Sequence, residues 1–222
     1  MAGMRVGVIS DIHANLVALE AVLADMPEVD ELVCAGDVVG YNPNPAECVA
    51  AVRDREIPTI MGNHDRMVVT GRNFRGNYMA RAGVEHARKT LDDEAIEWLS
   101  GLPAERTLYD DRVKMVHGHP EDPDRYTYPG DFSPGVLGEE DVLVMGHTHV
   151  QHAEQYGEGI VLNPGSVGQP RDSDPRAAYA VLDLDAFTVD EHRVAYDIQA
   201  VQEGIEAAGL PRRTGSRLES GQ

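Results

Sequence analysis

The 222-residue chain is poor in cysteine, lysine and aromatic residues. Cys34 and Cys48 are its only cysteines, Lys89 and Lys114 its only lysines, and aromatics make up 5%. Neither cysteine belongs to a C-x-x-C spacing, which excludes zinc-ribbon and dithiol chemistry, and both read as small buried apolar residues. No apolar run reaches the ~20 residues that cross a bilayer. The apolar stretch at 4–9 is too short for a secretory leader, so the expectation is a cytoplasmic chain with no membrane partner. With 19 Lys and Arg against 38 Asp and Glu, the formal net charge is −19. Such a field repels nucleic acid over long range, and no stable nucleic-acid complex is expected. The acidic balance suits high salt, where the Debye length falls to roughly 3 Å at 1 M. Unfolding on dilution into low salt is the check on a halophilic origin.

What is present is organised. The length fits a single domain, expected over 1–210, and no internal repeat is evident. The last residues, 211–222 (PRRTGSRLESGQ), lack a hydrophobic pattern and are expected to be a disordered tail. An apolar run at 4–9 reads as a strand buried on both faces. Leu16, Leu19, Val22, Leu23 and Met26 then recur at helical spacing before Pro27. A strand at 32–35, a helix at 45–55 with Pro45 near its first turn, and a strand at 57–61 complete a β-α-β-α-β alternation typical of a parallel sheet. Residues 77–102 are helical in pattern. From Val113 onward short β-like runs follow at 113–116, 142–145, 160–162, 178–184 and 189–194, and 198–208 reads as a last helix. The segment 119–134 (HPEDPDRYTYPGDFSP) is a long loop of the kind that often carries function.

Five polar clusters sit where strands end: Ser10-Asp11-Ile12-His13, Gly36-Asp37, Gly62-Asn63-His64-Asp65, His117-Gly118-His119 and Gly146-His147-Thr148-His149. Alone, a His-x-His pair is more often a polar strand end than a metal site. Five clusters together are different, because the carboxyl ends of strands in an α/β sheet form the crevice where ligands bind. Asp11, His13, Asp37, Asn63, His117, His147 and His149 supply carboxylate, amide and imidazole without thiolate. That mixture suits Mn, Fe, Zn, Co or Ni rather than calcium alone. Seven donors are too many for one ion. Two ions about 3.5–4 Å apart would use them all, with the central Asp37 as the natural bridge.

The order D-x-H, G-D, G-N-H-D, H-G-H, G-H-T-H resembles the calcineurin-like metallophosphoesterases, in particular their small bacterial and archaeal phosphodiesterase-type members, over residues 5–185. The resemblance implies an α/β fold, a β-sandwich flanked by helices in α/β/β/α layers. It implies two divalent transition-metal ions, manganese first among Fe, Zn, Ni and Co. Asp11, His13, Asp37 and His149 would form the first metal site, and Asp37, Asn63, His117 and His147 the second. It makes His64 a catalytic non-ligand that contacts the phosphate beside Asn63 and protonates the leaving group. Asp65 would fix the His64 ring or cap the following turn.

The expected reaction is hydrolysis of a small phosphate ester or nucleotide-like substrate, a phosphodiester first, with a metal-bridging hydroxide attacking phosphorus and His64 assisting departure. Two divalent ions against Asp11, Asp37 and a hydroxide leave about one net positive charge, an anion pocket in an acidic protein. The alternatives are a dinucleoside polyphosphate hydrolase, a phosphomonoesterase, a non-catalytic scaffold on the same fold, and a nucleic-acid regulator resting on Arg72, Arg75 and Arg81. Whether a homo-oligomer forms is open.

The stretch 163–171 (NPGSVGQPR) resembles a loop common in the subfamily. Its glycines and Arg171 either bind a substrate phosphate or belong to a turn that buttresses the metal site. Tyr41, Tyr126 and Tyr128 offer aromatic faces to a base or aryl group, against ordinary loop packing. His119 reads as a loop residue behind the ligands, and His86, His152 and His192 as surface or packing residues.

Overall fold

The computed structural model describes residues 3–72 and 77–222; Arg75, one of the scattered arginines, lies outside them. Nine strands are described: β1 (Arg5–Ile9), β2 (Glu31–Cys34), β3 (Glu105–Leu108), β4 (Val113–Val116), β5 (Val142–Val144), β6 (His152–Gln155), β7 (Ile160–Asn163), β8 (Ala177–Asp183) and β9 (Thr188–Val194). They form two sheets, of order β2-β1-β8-β9 and β3-β4-β5-β7-β6. β1 runs parallel to β2, and β4, β5 and β7 run parallel to one another.

Successive side chains of a strand point to opposite faces, and here both faces are apolar. Val6 and Val8 of β1, Val113 and Met115 of β4, Val142 and Val144 of β5, and Ile160 and Leu162 of β7 meet in the layer between the sheets. Ile9 turns the other way, onto a core shared with Leu19, Val22, Val49 and Val52. Those residues belong to α1 (Leu16–Asp25) and α2 (Pro45–Arg53). Leu143, Met145 and Val161 face outward on the second sheet, where Phe132 of the long loop and Val136 and Leu137 just after it cover them. Strands buried on both faces therefore read as unbroken apolar runs.

The remaining helices are α3 (Asn63–Thr70), α4 (Tyr78–Thr90), α5 (Asp93–Ser100), α6 (Ile198–Ala207) and α7 (Arg212–Ser216). Side chains of Asn15, Asn77, Asp92 and Asp197 each accept a first-turn N–H, capping α1, α4, α5 and α6. No helix among the described residues is long and apolar enough to cross a membrane.

Two expectations are corrected. The strand at 57–61 shrinks to one parallel bridge between Cys34 and Thr59, because Pro58 has no N–H to donate and Met61 N–H leaves the sheet for Pro103 O, 2.7 Å away. The tail at 211–222 is ordered. α7 and a following 3-10 turn bury Leu218 against Val201, Ile205 and Leu210, and Ser173 N–H bonds Gly221 O at 2.9 Å. One leucine and a set of backbone hydrogen bonds hold it, a pattern without hydrophobic periodicity.

Candidate metal centre

Three of the five strand-end turns, at 10–13, 36–37 and 146–149, are held in an unusual backbone conformation. Five of the seven candidate ligands are left-handed, with φ of 53° at Asp11, 50° at His13, 55° at Asp37, 68° at His147 and 61° at His149. Such residues cost on the order of 1–3 kcal/mol each and persist only where the surroundings over-determine them. The turns determine one another. Asp11 N–H bonds Gly36 O at 3.0 Å, His13 N–H bonds Asp37 O at 2.9 Å, and Gly146 N–H bonds His117 O at 2.8 Å. The 163–171 loop locks two of them from behind: Asn163 Nδ2 donates to Gly146 O and Thr148 Oγ1, and Ser166 Oγ donates to Asp11 O. Gly168 N–H also bonds Asp11 O at 3.0 Å, in a place so close that a Cβ would overlap Ile12 O. The amides of Val167 and Gly168 thus brace the metal-site turns, as the buttress reading has it, while Arg171 reaches the cavity.

The first cluster is Asp11, His13 and His149, whose donor atoms lie within 4.8 Å of one another. Asp11 Oδ2 accepts from Ser10 Oγ at 2.7 Å and His147 N–H at 3.0 Å, while its buried Oδ1 has no hydrogen-bond partner. His13 Nδ1 bonds Val39 O at 3.2 Å and His149 Nδ1 bonds Gln169 O at 2.6 Å. A carbonyl only accepts, so both Nδ1 atoms carry the proton and, in the neutral rings, both Nε2 atoms are lone pairs. Burial and the Arg171 charge pull His149 down to about 3 against the opposing pull of Asp11. The two Nε2 atoms nevertheless lie 3.0 Å apart, with Asp11 Oδ1 3.1 Å from His149 Nε2 and 3.6 Å from His13 Nε2. For bonds of about 2.0–2.2 Å, donors around one cation sit roughly 2.8–3.6 Å apart. Lone pairs converging at that spacing fit a cation.

The second cluster is Asp37, His117 and His147. His117 Nδ1 donates to Ala35 O at 2.8 Å, and its Nε2 lies 3.2 Å from Asn63 Oδ1 and 3.3 Å from Asp37 Oδ2. Burial pushes His117 down, but Asp37 outweighs it and raises the ring to about 10, a demand for positive charge that a metal ion also meets. His147 Nε2 donates to Asp124 O at 3.2 Å, which leaves Nδ1 as its free nitrogen. Asp37 Oδ2 is also 3.6 Å from His13 Nε2, so one carboxylate oxygen faces both clusters. Burial pushes Asp37 up, but His117 and His64 outweigh it and hold the carboxyl far below the usual range.

Asn63 and His64 open α3, a helix that the strand-end reading missed. Asp65 answers its own question: it makes no bond to the His64 ring. Its carboxylate accepts from Gly62 N–H at 3.0 Å, Asp37 N–H at 2.9 Å and Val39 N–H at 3.1 Å, capping α3 and tying it to the Asp37 loop. Asp37 Oδ1 in turn accepts His64 N–H at 2.8 Å. A Cβ at position 62 would overlap Asp37, so only glycine permits this approach. The His64 ring lies edge-on to His13 and beside Tyr41, each at 4.7 Å, with no partner for Nδ1. Burial holds it well below its ordinary pKa despite Asp37.

A cavity of about 230 Å³ opens over both clusters, lined by Asp37, Asn63, His64, His147, His149, Arg171 and aromatic neighbours. Arg171 lies over the Tyr41 ring and bonds its hydroxyl at 3.2 Å and Gln169 Oε1 at 2.8 Å. Tyr126 stacks on His147 at 4.0 Å, and Tyr128 stacks on Tyr126 at 6.0 Å. His119 is buried behind the site and accepts Glu121 N–H at 3.1 Å. His86 bonds Pro43 O, His152 pairs with Glu154, and His192 stacks on Tyr179, all outside the clusters. Sequence reasoning missed the supports that act through backbone oxygens, at Ala35, Val39, Asp124 and Gln169, since any residue type supplies a carbonyl.

Residues 4–186 match the calcineurin-like phosphoesterase superfamily domain, and the chain belongs to that superfamily. It is 34% identical to an uncharacterized protein of Methanocaldococcus jannaschii over 100% of both chains. It is 29% identical to phosphodiesterase YfcE of Escherichia coli, over 84% of this chain and 91% of that one. Among solved structures, a metallophosphoesterase from Sphaerobacter thermophilus superposes with a TM-score of 0.86 at 37% identity, covering 99% of this chain and 100% of that one. Fold and two-sheet architecture agree with the sequence expectation.

Proposed function

We propose that this metal-dependent phosphoric ester hydrolase is a dinuclear phosphodiesterase. Asp11, His13, Asp37 and His149 would hold one cation and Asp37, Asn63, His117 and His147 the other, with manganese the first choice. The observation that carries the reading is the pair of buried donor clusters that share Asp37 Oδ2, with the Nε2 atoms of His13 and His149 and Asp11 Oδ1 converging at 3.0–3.6 Å in the first of them. Bound there, the ions supply Lewis-acid stabilisation of phosphoryl oxygens and a water of lowered pKa as nucleophile. The chain's own groups do the rest. His64, in the cavity wall and outside both ligand sets, donates a hydrogen bond to the phosphoryl group; the anionic substrate counters the burial that keeps the free ring neutral, and the ring so protonated passes its proton to the departing oxygen. Arg171 pairs with a non-reacting phosphoryl oxygen. The carbonyls of Val39, Ala35, Asp124 and Gln169 fix the tautomers of the four histidines. The diester preference draws support from the E. coli relative that carries the name phosphodiesterase.

The test is hydrolysis of bis-p-nitrophenyl phosphate beside p-nitrophenyl phosphate, after metal stripping and reloading with Mn, Ni, Zn or Mg. The expected result is manganese-dependent release from the diester, faster than from the monoester. Silence on both substrates with every metal, in folded protein at low and high salt, contradicts the reading.

A further inference from the structure

The long loop at 119–134 leaves two tyrosines in the open beside the metal centre. The large hydrophobic side chains exposed among the described residues are three tyrosines, Tyr78, Tyr126 and Tyr128, and the last two are 44% and 48% exposed. Aromatic rings bring a large gain on burial, so a loop that only packs turns them inward. Here other residues do the packing. Phe132 is buried on the outer face of the second sheet, and the buried Thr127 donates its hydroxyl to Gly118 O at 3.1 Å. The rings on either side of that threonine lie nearly parallel, with 12° between their planes and centroids 6.0 Å apart. Tyr126 lines the cavity and stacks in turn on His147, at 4.0 Å and 27°. Three rings thus run in series from the second donor cluster to solvent. The loop fixes the series in place: Asp124 O accepts from His147 Nε2, Arg66 of α3 pairs with the Asp124 carboxylate, and Tyr128 N–H and O bond Asp131 at 3.0 and 2.8 Å. Tyr41 offers no such face, being buried with its ring against His13 and His64 and beneath Arg171.

We propose that Tyr126 and Tyr128 form a stacking platform for a nucleobase, and that the substrate of the metal centre is a small nucleotide diester whose base lies on Tyr128 while its phosphate occupies the cavity. Tyr126 stands in the cavity wall, so a group attached to a phosphate bound there meets the platform on its way out. Every base has a π-face, and the platform adds affinity without selecting one base. A protein partner is a poorer match, because two rings offer a small fraction of the roughly 800 Å² per side of a specific interface. A long nucleic-acid strand is poorer still: Glu121, Asp122, Asp124 and Asp131 share the loop with the rings, in a chain of net charge −19. Cleavage of the diester rests on the phosphoesterase reading; base binding is measured without turnover.

The experiment separates the two. Adenosine 5′-monophosphate and ribose 5-phosphate carry the same phosphate and differ by the base. Each is titrated calorimetrically into manganese-supplemented protein, as wild type, Tyr128→Ala and Tyr128→Phe, with circular dichroism confirming the fold of each. Stacking predicts that wild type binds the nucleotide roughly tenfold tighter than the sugar phosphate, that the gap closes in Tyr128→Ala, and that Tyr128→Phe, which keeps the ring, keeps the gap. A nucleotide that binds wild type no more tightly than the sugar phosphate, or a gap undiminished in folded Tyr128→Ala, overturns the platform. A short oligodeoxyadenylate that binds more tightly than the mononucleotide overturns the choice of a small ligand. In turnover, kcat/KM for the p-nitrophenyl ester of thymidine 5′-monophosphate relative to methyl p-nitrophenyl phosphate is expected to fall by a similar factor in Tyr128→Ala. Hydrolysis with that ratio unmoved overturns the platform and leaves the activity standing. Tyr128-dependent nucleotide binding in a protein that hydrolyses no ester supports the platform and removes the activity.

Discussion

His13 and His149 face each other Nε2 to Nε2 across 3.0 Å, each with its Nδ1 proton given to a backbone carbonyl. In this tautomer the two Nε2 atoms turn their proton-free sides toward each other, and the bare Asp11 Oδ1 beside them adds a further lone pair. The arrangement is comfortable around a cation and uncomfortable without one. Chelation is therefore expected to lower the thermal unfolding midpoint and manganese to restore it. Binding at a hundredfold excess over Kd is worth about 2.7 kcal/mol. In His149→Ala the manganese-induced shift should shrink markedly; an undiminished shift in that variant would remove His149 from the ligand set.

His64→Ala should keep both metals and lose most turnover. A general acid contributes roughly 10²–10⁴ in rate, and the ring belongs to neither ligand set. Metal content by mass spectrometry and diester turnover on the same sample decide it. An unchanged rate takes His64 out of the mechanism, and loss of metal makes it a ligand.

Asp65→Ala tests whether that carboxylate serves the fold or the His64 ring. Three buried N–H groups, of Gly62, Asp37 and Val39, lose their acceptor. At about 1–3 kcal/mol for each unsatisfied group, metal-free stability to urea should fall by at least ~3 kcal/mol. Unaltered stability with reduced turnover would contradict the capping role and favour ring orientation.

The five strand-end clusters were legible because their chemistry resides in side chains and their order in the chain. The strands that carry them were legible because burial on both faces leaves continuous apolar runs, as in Val142-Leu143-Val144. α3 was not, since NHDRMVVT shows no apolar stripe and buries mainly Met67, Val68 and its polar first turn. β3 and β6 were missed for a similar reason: ERTL and HAEQ are polar edge strands, defined by their neighbours rather than by their own pattern. The left-handed backbone at Asp11, His13, Asp37, His147 and His149 leaves no trace in residue type, because it is imposed by the interlocked turns. The tail misled in the opposite sense: PRRTGSRLESGQ has the composition of a disordered end, yet Leu218 and a few backbone bonds dock it against α6 and Ser173.

The central claim is that one carboxylate, Asp37, joins two cation sites. Anomalous diffraction at the manganese edge, from crystals grown with manganese, tests it directly. The account predicts two peaks about 3.5–4 Å apart, one among Asp11, His13 and His149 and one among Asn63, His117 and His147, with Asp37 between them. A single peak, or two peaks that do not share Asp37, would contradict it.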